Sequence, residues 1–457
     1  MVTENEVENG KPTDRGPRMK SERETFVSGF GIVMTMIGAA VGLGAIWRFP
    51  YMVGRFGGAA FVLFYVAVVL FVGIPALMTE WALGRHTGRG PLGAYERGGL
   101  PGGRAVGGLL FTILLVAAGY YGNVVGWVLY HGLSELAGGF GLRFDPAVIL
   151  PPGEGFDAAS FVRQLAMTGA VIFTCGLVIA KGLRRGIERA SKWIVPVVFV
   201  ILLVLILRSV TLEGAGEGLR WYFGSFRLSS LTPSVMAAAM GMAFFSMSLG
   251  GTFMVIYGSY LAKGSRIPGN ALATSLGASL AGILAGLAIF PAVFSFGLEP
   301  TSGPGLIFET LPRVFDSMPA GWAFGFLFFV GLFGAAYLSE VAAFEVLVGG
   351  LVDNTKLERK RAVLIVCGAV WVLAVPPMIN TRIFLPWDLF FGSGMQVLGS
   401  FVAVVTAAWF VKRAALLGEL AEGGRRPFPR FVYWWIRLAI PAAILLVGAN
   451  WLLEAVI

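Results

Sequence analysis

A short set of polar side chains lies inside the apolar stretches of this chain, and these residues bound the chemistry it can do. They are Arg48, Glu80, Tyr121, Asn123, Ser246, Ser248, Ser339, Glu340, Glu345 and Asp388. A charge near the centre of a bilayer costs at least ~2.5–3.5 kcal/mol, so each carboxylate and Arg48 must be paired, hydrated or neutral. Glu80 and Glu345 read first as structural, paired with backbone or a neighbouring helix. Ser246, Ser248 and Ser339 could back-bond to their own helices. Nothing in the set makes an enzyme. The two histidines, His86 and His131, are isolated. Cys175 and Cys367 sit in apolar runs and read as small core residues. There is no phosphate-cradling G-x-x-x-x-G-K, no H-E-x-x-H and no nucleophile–base pair.

Two glycine-rich stretches must position these groups. GAAVGLGAIWRFP, from Gly38 to Pro50, interrupts a long apolar run that starts near Phe26. Each Gly costs roughly 1 kcal/mol relative to Ala in a helix interior. Small-xxx-small spacing, Gly38 to Gly42, would suit a close-packed helix. The coincidence of Gly38, Gly42 and Gly44 with Arg48 and Pro50 instead predicts a broken helix whose freed backbone groups face a buried ligand. FFSMSLGGT, from Phe244 to Thr252, is a second such break, five spans later. Corresponding breaks in two halves point to a transporter built from inverted repeats with a site at the membrane midplane.

The chain has 457 residues, 56% hydrophobic and only 13% charged, which excludes a soluble globular domain. Apolar runs of about 20 residues recur throughout, so the chain reads as an all-α integral membrane protein with about eleven spans. Expected limits are 26–53, 56–84, 105–138, 159–180, 187–210, 231–261, 268–297, 321–351, 360–376, 386–411 and 431–453. The net charge of +9 does not indicate nucleic acid, because the bases cluster in short loops. Lys181, Arg184, Arg185, Arg189 and Lys192 share one loop; Lys356, Arg359, Lys360 and Arg361 share another. Both fall on the side of the N-terminal tail, so the N-terminus is expected to be cytoplasmic and, with an odd span count, the C-terminus outside. The opposite loops carry few bases, Arg143 among them. Residues 1–22 read as a disordered cytoplasmic tail. The long outer connections 139–158 and 298–320 are lids or spacers, the second with GPGLIFETLP as short helices over an entrance.

GAAVGLGAIWRFP, together with GGAAFVLFY, GIPALMTEWALGR, YYGNVVGW, FFSMSLGGT, LAGLAIFPAVFSFG, GPGLIFETLP and PWDLFFG, strongly resembles the neurotransmitter:sodium symporter family. The resemblance implies the LeuT fold, a 5+5 inverted repeat with broken helices 1 and 6. On that scheme residues 23–211 form the first repeat, 212–413 the second, and 414–457 a loop and an eleventh helix. It also implies a carboxylate-binding site at the backbone N–H groups of Leu43 and Gly44, where a half-helix N-terminus favours an anion. Tyr121 would add its hydroxyl, Phe245 would cap the substrate, and Ala40, Ser246, Ser248, Gly251, Ser339, Glu340 and Ala343 would line the pocket. Arg48 and Asp388 would form the outer gate, Arg23 and Asp353 the cytoplasmic one, with Phe26 where the family usually has Trp. Gly186 and Pro196 match a family spacing that permits local unwinding of the fifth span.

Departures from the family pattern bear on the coupled ion. The first sodium site takes an Asn side chain where this chain has Ala45. It takes another amide or carboxylate from the seventh span, yet residues 271–298 hold no Asn, Asp, Gln or Glu. The second site keeps a remnant set, Gly38, Val41, Ala335 and Ser339, but Leu338 replaces a hydroxyl. Chloride-binding members need a particular Ser near Ala281, so no chloride site is implied. Glu340 stands where the family has a small residue; it either turns away and pairs elsewhere, carries a proton, or serves as counter-charge to a cationic substrate or ion. The expectation is a secondary transporter of an amino acid or related amine-carboxylate in the cytoplasmic membrane of a prokaryote, working by alternating access. Ala117, Ala343 and Gly251 favour a large or aromatic substrate. Sodium symport is the family default; a sodium-independent carrier, with a proton as one candidate coupled ion, and a non-transporting amino-acid sensor are the alternatives. No cofactor and no nucleic-acid partner are expected; the bilayer and a small molecule are.

Overall fold

The computed structural model describes residues 24–142, 144–224, 226–299, 306–424 and 428–456. The expected tail, Arg23, Arg143 and Gly303–Gly305 lie outside them. Among the described residues the chain is helical with no strand. Nine helices are long and apolar enough to cross a membrane: Gly58–Thr87, Gly103–Gly139, Ala158–Ala180, Leu183–Val210, Ile267–Ser295, Gly321–Asn354, Arg359–Met378, Thr381–Phe410 and Arg430–Ala449. The bent pair Gly29–Ala40 and Gly44–Phe56 adds a tenth if taken as one span. The pair Pro233–Ser246 and Phe253–Gly258 stands where the interrupted sixth span was expected. Spans are numbered below in that expected order.

Local chemistry explains where these helices start and stop. Ser28 caps Gly29–Ala40 by accepting the Gly31 N–H at 3.0 Å. Pro50 lies in the first turn of Phe49–Phe56, where its missing N–H breaks no bond. Gly57 ends that helix with φ +98°, a conformation L side chains avoid, and lets the second span start at once. Thr232 accepts the Val235 N–H, and Pro233 opens the sixth span behind it.

Two sets of packed helices emerge. The second span runs along both halves of the sixth, and the first packs on the seventh. The third and eighth spans form the most extensive helix pair, with the fourth and ninth beside them. Close approach carries the first set: a Cβ on Gly84 would collide with the Val255 carbonyl, and one on Gly258 with the Trp81 backbone. Small residues at such crossings are what membrane packing selects, since lipid supplies no hydrophobic drive between helices. Over the outer face, Leu306–Thr310 and Leu311–Asp316 form the short helices expected in the 298–320 connection.

Candidate functional site

The first span ends its first helix at Ala40 and resumes at Gly44, bent by 57°. A helix that stops leaves carbonyls without intrahelical partners. Here the Ala39 carbonyl accepts two hydroxyls, Ser248 Oγ at 2.9 Å and Ser339 Oγ at 3.0 Å. The Leu43 N–H donates to the Tyr121 hydroxyl at 3.2 Å. Gly42 is required where these groups meet, because a Cβ there would overlap Ser339 and stand 2.8 Å from the Tyr121 oxygen. Tyr121, Ser248 and Ser339, from the third, sixth and eighth spans, thus converge on residues 39–43. The serines bond across helices rather than to their own.

The sixth-span break lies between Ser246 and Phe253. Part of its freed backbone has partners from other helices. Glu80 accepts the N–H groups of Gly250 at 3.2 Å and Gly251 at 3.1 Å, and Tyr95 donates to the Gly251 carbonyl at 2.5 Å. Ser248 adopts a left-handed φ of 49°, uncommon for a residue with a side chain, and its bond to Ala39 opposes the strain. Phe245 lies over Gly44, where a Cβ would stand 2.7 Å from the ring, and the Arg48 guanidinium sits 4.4 Å from the ring centroid on its other side.

Further contacts lie beyond Arg48, at the end expected to face outside. Asp388 is hydrogen-bonded to Tyr120 and within electrostatic range of Arg48. Phe308, from the outer short helix, packs edge-on against Trp47 at 5.5 Å and tilted against His131 at 4.9 Å. At the opposite end Phe26 is buried against Tyr257 and Tyr260, and its N–H donates to the Tyr260 carbonyl at 3.3 Å. Glu345, fully buried, accepts Tyr260 Oη at 2.5 Å and a bidentate contact from Arg359. Asp353 receives Arg89 on its carbonyl and the Gly90 N–H on its carboxylate; its expected partner Arg23 lies outside the described residues.

The sodium ligand sets fit poorly. Ala45 offers no side-chain oxygen, and Ser246 bonds to Tyr65 at 2.8 Å and to the Ala243 carbonyl at 3.2 Å. At the second set Leu338 is buried, and its Cδ1 lies 2.9 Å from where a Cβ on Gly38 would stand. Sodium is a hard ion that prefers oxygen, so a methyl group packed beside one of the carbonyl donors opposes binding. Ala335 and Val41 are buried nearby, and Ser339 already bonds to Ala39.

Two residues do not stand where the pocket reading puts them. Gly251, at φ +68°, faces Tyr95 and the Gly399 backbone, so its lack of a side chain serves close packing and does not widen a pocket. Ser246 points at Tyr65. Ala40 and Ala343 are buried. Glu340 is buried with neither carboxyl oxygen hydrogen-bonded among the described residues. Sequence reasoning missed the Tyr65–Ser246–Ser279 hydroxyl cluster, whose second bond is 3.2 Å long, and the Arg359–Glu345 pair. The only signal for the cluster was hydroxyls recurring in three apolar spans.

The sequence and the fold are similar to those of known proteins. The model of the sodium:neurotransmitter symporter family matches residues 23–139 and 154–454. The chain is 31% identical over 451 residues to an uncharacterized sodium-dependent transporter, YhdH, of Bacillus subtilis, covering 93% of this chain and 97% of that protein. It is 30% identical over 450 residues to an uncharacterized sodium-dependent transporter of Haemophilus influenzae, covering 93% and 97%. The crystal structure of MhsT in complex with L-phenylalanine superposes with a TM-score of 0.79 at 33% identity, over 94% of this chain and 99% of that one.

Proposed function

Because the chain belongs to the sodium:neurotransmitter symporter family, we propose that it is a secondary transporter that carries an amino acid across the cell membrane by alternating access, with its N-terminus in the cytoplasm. The observation that carries the substrate class is the Leu43 N–H, which points from the start of a half-helix at the Tyr121 hydroxyl 3.2 Å away. Backbone donors and the helix dipole there suit a carboxylate. The Tyr121 hydroxyl accepts from the donor that a carboxylate would take. Phe245 covers the other side of the same segment. A solved relative with L-phenylalanine bound supports an amino-acid ligand.

The relatives are named as sodium-dependent, and a sodium requirement is the family default. Ala45 and Leu338 favour a second reading, in which at most one weak sodium site survives and coupling to sodium is loose or lost. A proton is the other candidate ion. Arg48 with Asp388 serves as the outer gate, and Asp353 with Phe26 and Tyr260 as the inner closure. The set holding the first, second, sixth and seventh spans rocks against the set holding the third, fourth, eighth and ninth.

The test is uptake of labelled amino acids into proteoliposomes, with sodium and pH gradients imposed separately. Concentrative uptake driven by sodium alone supports the family default. Uptake unaffected by replacing sodium with choline supports the second reading. Saturable binding without flux would convert the protein into an amino-acid sensor and overturn transport.

A further inference from the structure

We propose that Glu340 recognises a positive charge at the far end of the substrate, so that the pocket takes amino acids with a cationic side chain. This rests on the amino-acid reading above. Glu340 lies midway along the eighth span, 0% exposed, and neither carboxyl oxygen has a hydrogen-bond partner among the described residues. Its Oε1 faces the bare side of Gly122, 3.4 Å from where a Cβ would stand, with the Thr168 methyl beside it. The polar groups there are already committed. Thr168 Oγ1 donates to Asn123 at 3.1 Å, and the Asn123 amide donates to the Ala374 carbonyl at 2.9 Å. The described ion pairs do not include Glu340.

Its place relative to the pocket gives the carboxyl a use. Glu340 follows Ser339, and Gly122 follows Tyr121; Ser339 and Tyr121 are the residues that meet the unwound segment at Gly42. Glu340 therefore stands one residue behind the groups that receive the substrate's head. A glutamate side chain can re-aim its carboxyl through staggered rotamers. A substrate anchored at Leu43 and running between the third and eighth spans ends beside it. A neutral side chain gives that carboxyl no counter-charge, so it stays protonated or bears the cost of an unpaired buried charge. An ammonium or guanidinium supplies that charge, and the guanidinium fork matches a carboxylate in two parallel bonds.

The weak sodium sites fit the same substrate. An amino acid with net charge +1 draws on the membrane potential by itself, and 100 mV supports about fiftyfold accumulation with no coupled ion. Ala45 and Leu338 then remove ligands that such a substrate does not need.

The experiment compares matched pairs on the purified full-length protein: L-arginine with L-citrulline, and L-lysine with L-norleucine. The expected result is that the charged member binds about ten- to a hundredfold more tightly in the wild type. In Glu340→Gln the preference collapses to near unity through loss of the charged ligand. In sodium-free proteoliposomes, arginine uptake follows an imposed inside-negative potential and stops when it is collapsed. Equal or tighter binding of citrulline by the wild type overturns the proposal, as does a preference that survives in Glu340→Gln. The wild-type ratio needs no variant, so a misfolded Glu340→Gln leaves the proposal testable. If no amino acid binds, the amino-acid reading itself fails. If neutral amino acids bind in a Tyr121-dependent way without charge preference, only the Glu340 assignment fails.

Discussion

Replacing Leu338 with threonine tests whether one side chain has closed the second sodium site. Leu338 packs its Cδ1 beside Gly38, whose carbonyl is expected in the ligand set with Val41, Ala335 and the adjacent Ser339. Threonine removes two carbons' worth of buried apolar volume, about 1.6 kcal/mol at ~0.8 kcal/mol per methylene. Its hydroxyl can back-bond to the preceding turn of the helix, which limits the polar penalty. The variant is therefore expected to be about 2–3 kcal/mol less stable than wild type without sodium. In exchange the site regains a hydroxyl oxygen beside three carbonyls. An ion at a hundredfold excess over its dissociation constant stabilises the folded state by about 2.7 kcal/mol, roughly what the substitution costs. The assay is thermal unfolding in detergent, in NaCl against choline chloride at equal ionic strength. The wild type is expected to show little sodium-dependent shift, and Leu338→Thr a clear upward one that disappears in a Leu338→Thr, Ser339→Ala double variant. A wild-type sodium shift as large as that of the variant would refute the reasoning, since the leucine would then be no obstacle.

Tyr121→Phe removes the hydroxyl proposed to donate to the substrate carboxylate, a bond to a charged group worth about 1.5–3 kcal/mol. Affinity for a free amino acid should fall about ten- to a hundredfold, while an amidated analogue, already weak in the wild type, should not weaken further; unchanged carboxylate affinity by equilibrium binding would remove Tyr121 from the site. Glu80→Gln turns one acceptor oxygen into a donor facing the N–H of Gly250 or Gly251. The broken sixth span should lose about 2–4 kcal/mol of support, read as a lower unfolding temperature, and an unaltered melting profile would show that the break does not depend on Glu80.

The breaks themselves were legible in the sequence because glycine, proline and a membrane arginine are expensive in a helix and rarely coincide without a use. What occupies the freed backbone was not legible, since the partners are remote in sequence. Glu80 reaches residues 170 and 171 positions away. Ser248 and Ser339 could as well have bonded within their own helices, and only the fold brings both to Ala39. Arg359 misled in a different way. Among loop bases it counts toward topology, yet the structure turns it inward onto Glu345 and the Ile179 carbonyl. A charge at a span end can serve either purpose, and the sequence offers no period that separates them. Gly251 shows the same ambiguity for small residues: missing volume can mean a pocket or a close backbone contact, and here it is the contact with Gly399.

If one set of helices rocks against another, the seam should run where the bonds are few and neutral. Within the set holding the second and sixth spans, Glu80 accepts two backbone N–H groups, Trp81 donates to the Met254 sulfur at 3.3 Å, and Gly84 and Gly258 bring backbones into contact. Between the first span and the third and eighth, the links are single neutral bonds, Leu43 to Tyr121 and Ser339 to Ala39. Such bonds contribute about 0.5–1.5 kcal/mol each, small enough for substrate binding to exchange them. Both ends carry a charged group beside their aromatics. At the end expected to face outside, Phe245 lies on Gly44, Phe308 packs on Trp47, and Asp388, bonded to Tyr120, stands within electrostatic range of Arg48. At the end expected to face the cytoplasm, Tyr260 bonds to a buried, arginine-paired carboxylate, with Phe26 packed against it. Aromatic contacts can be released by side-chain rotation, whereas a buried charged pair must be separated or rehydrated. Opening at either end therefore has to part a charged contact, Arg48 from Asp388 at one and Tyr260 from Glu345 at the other.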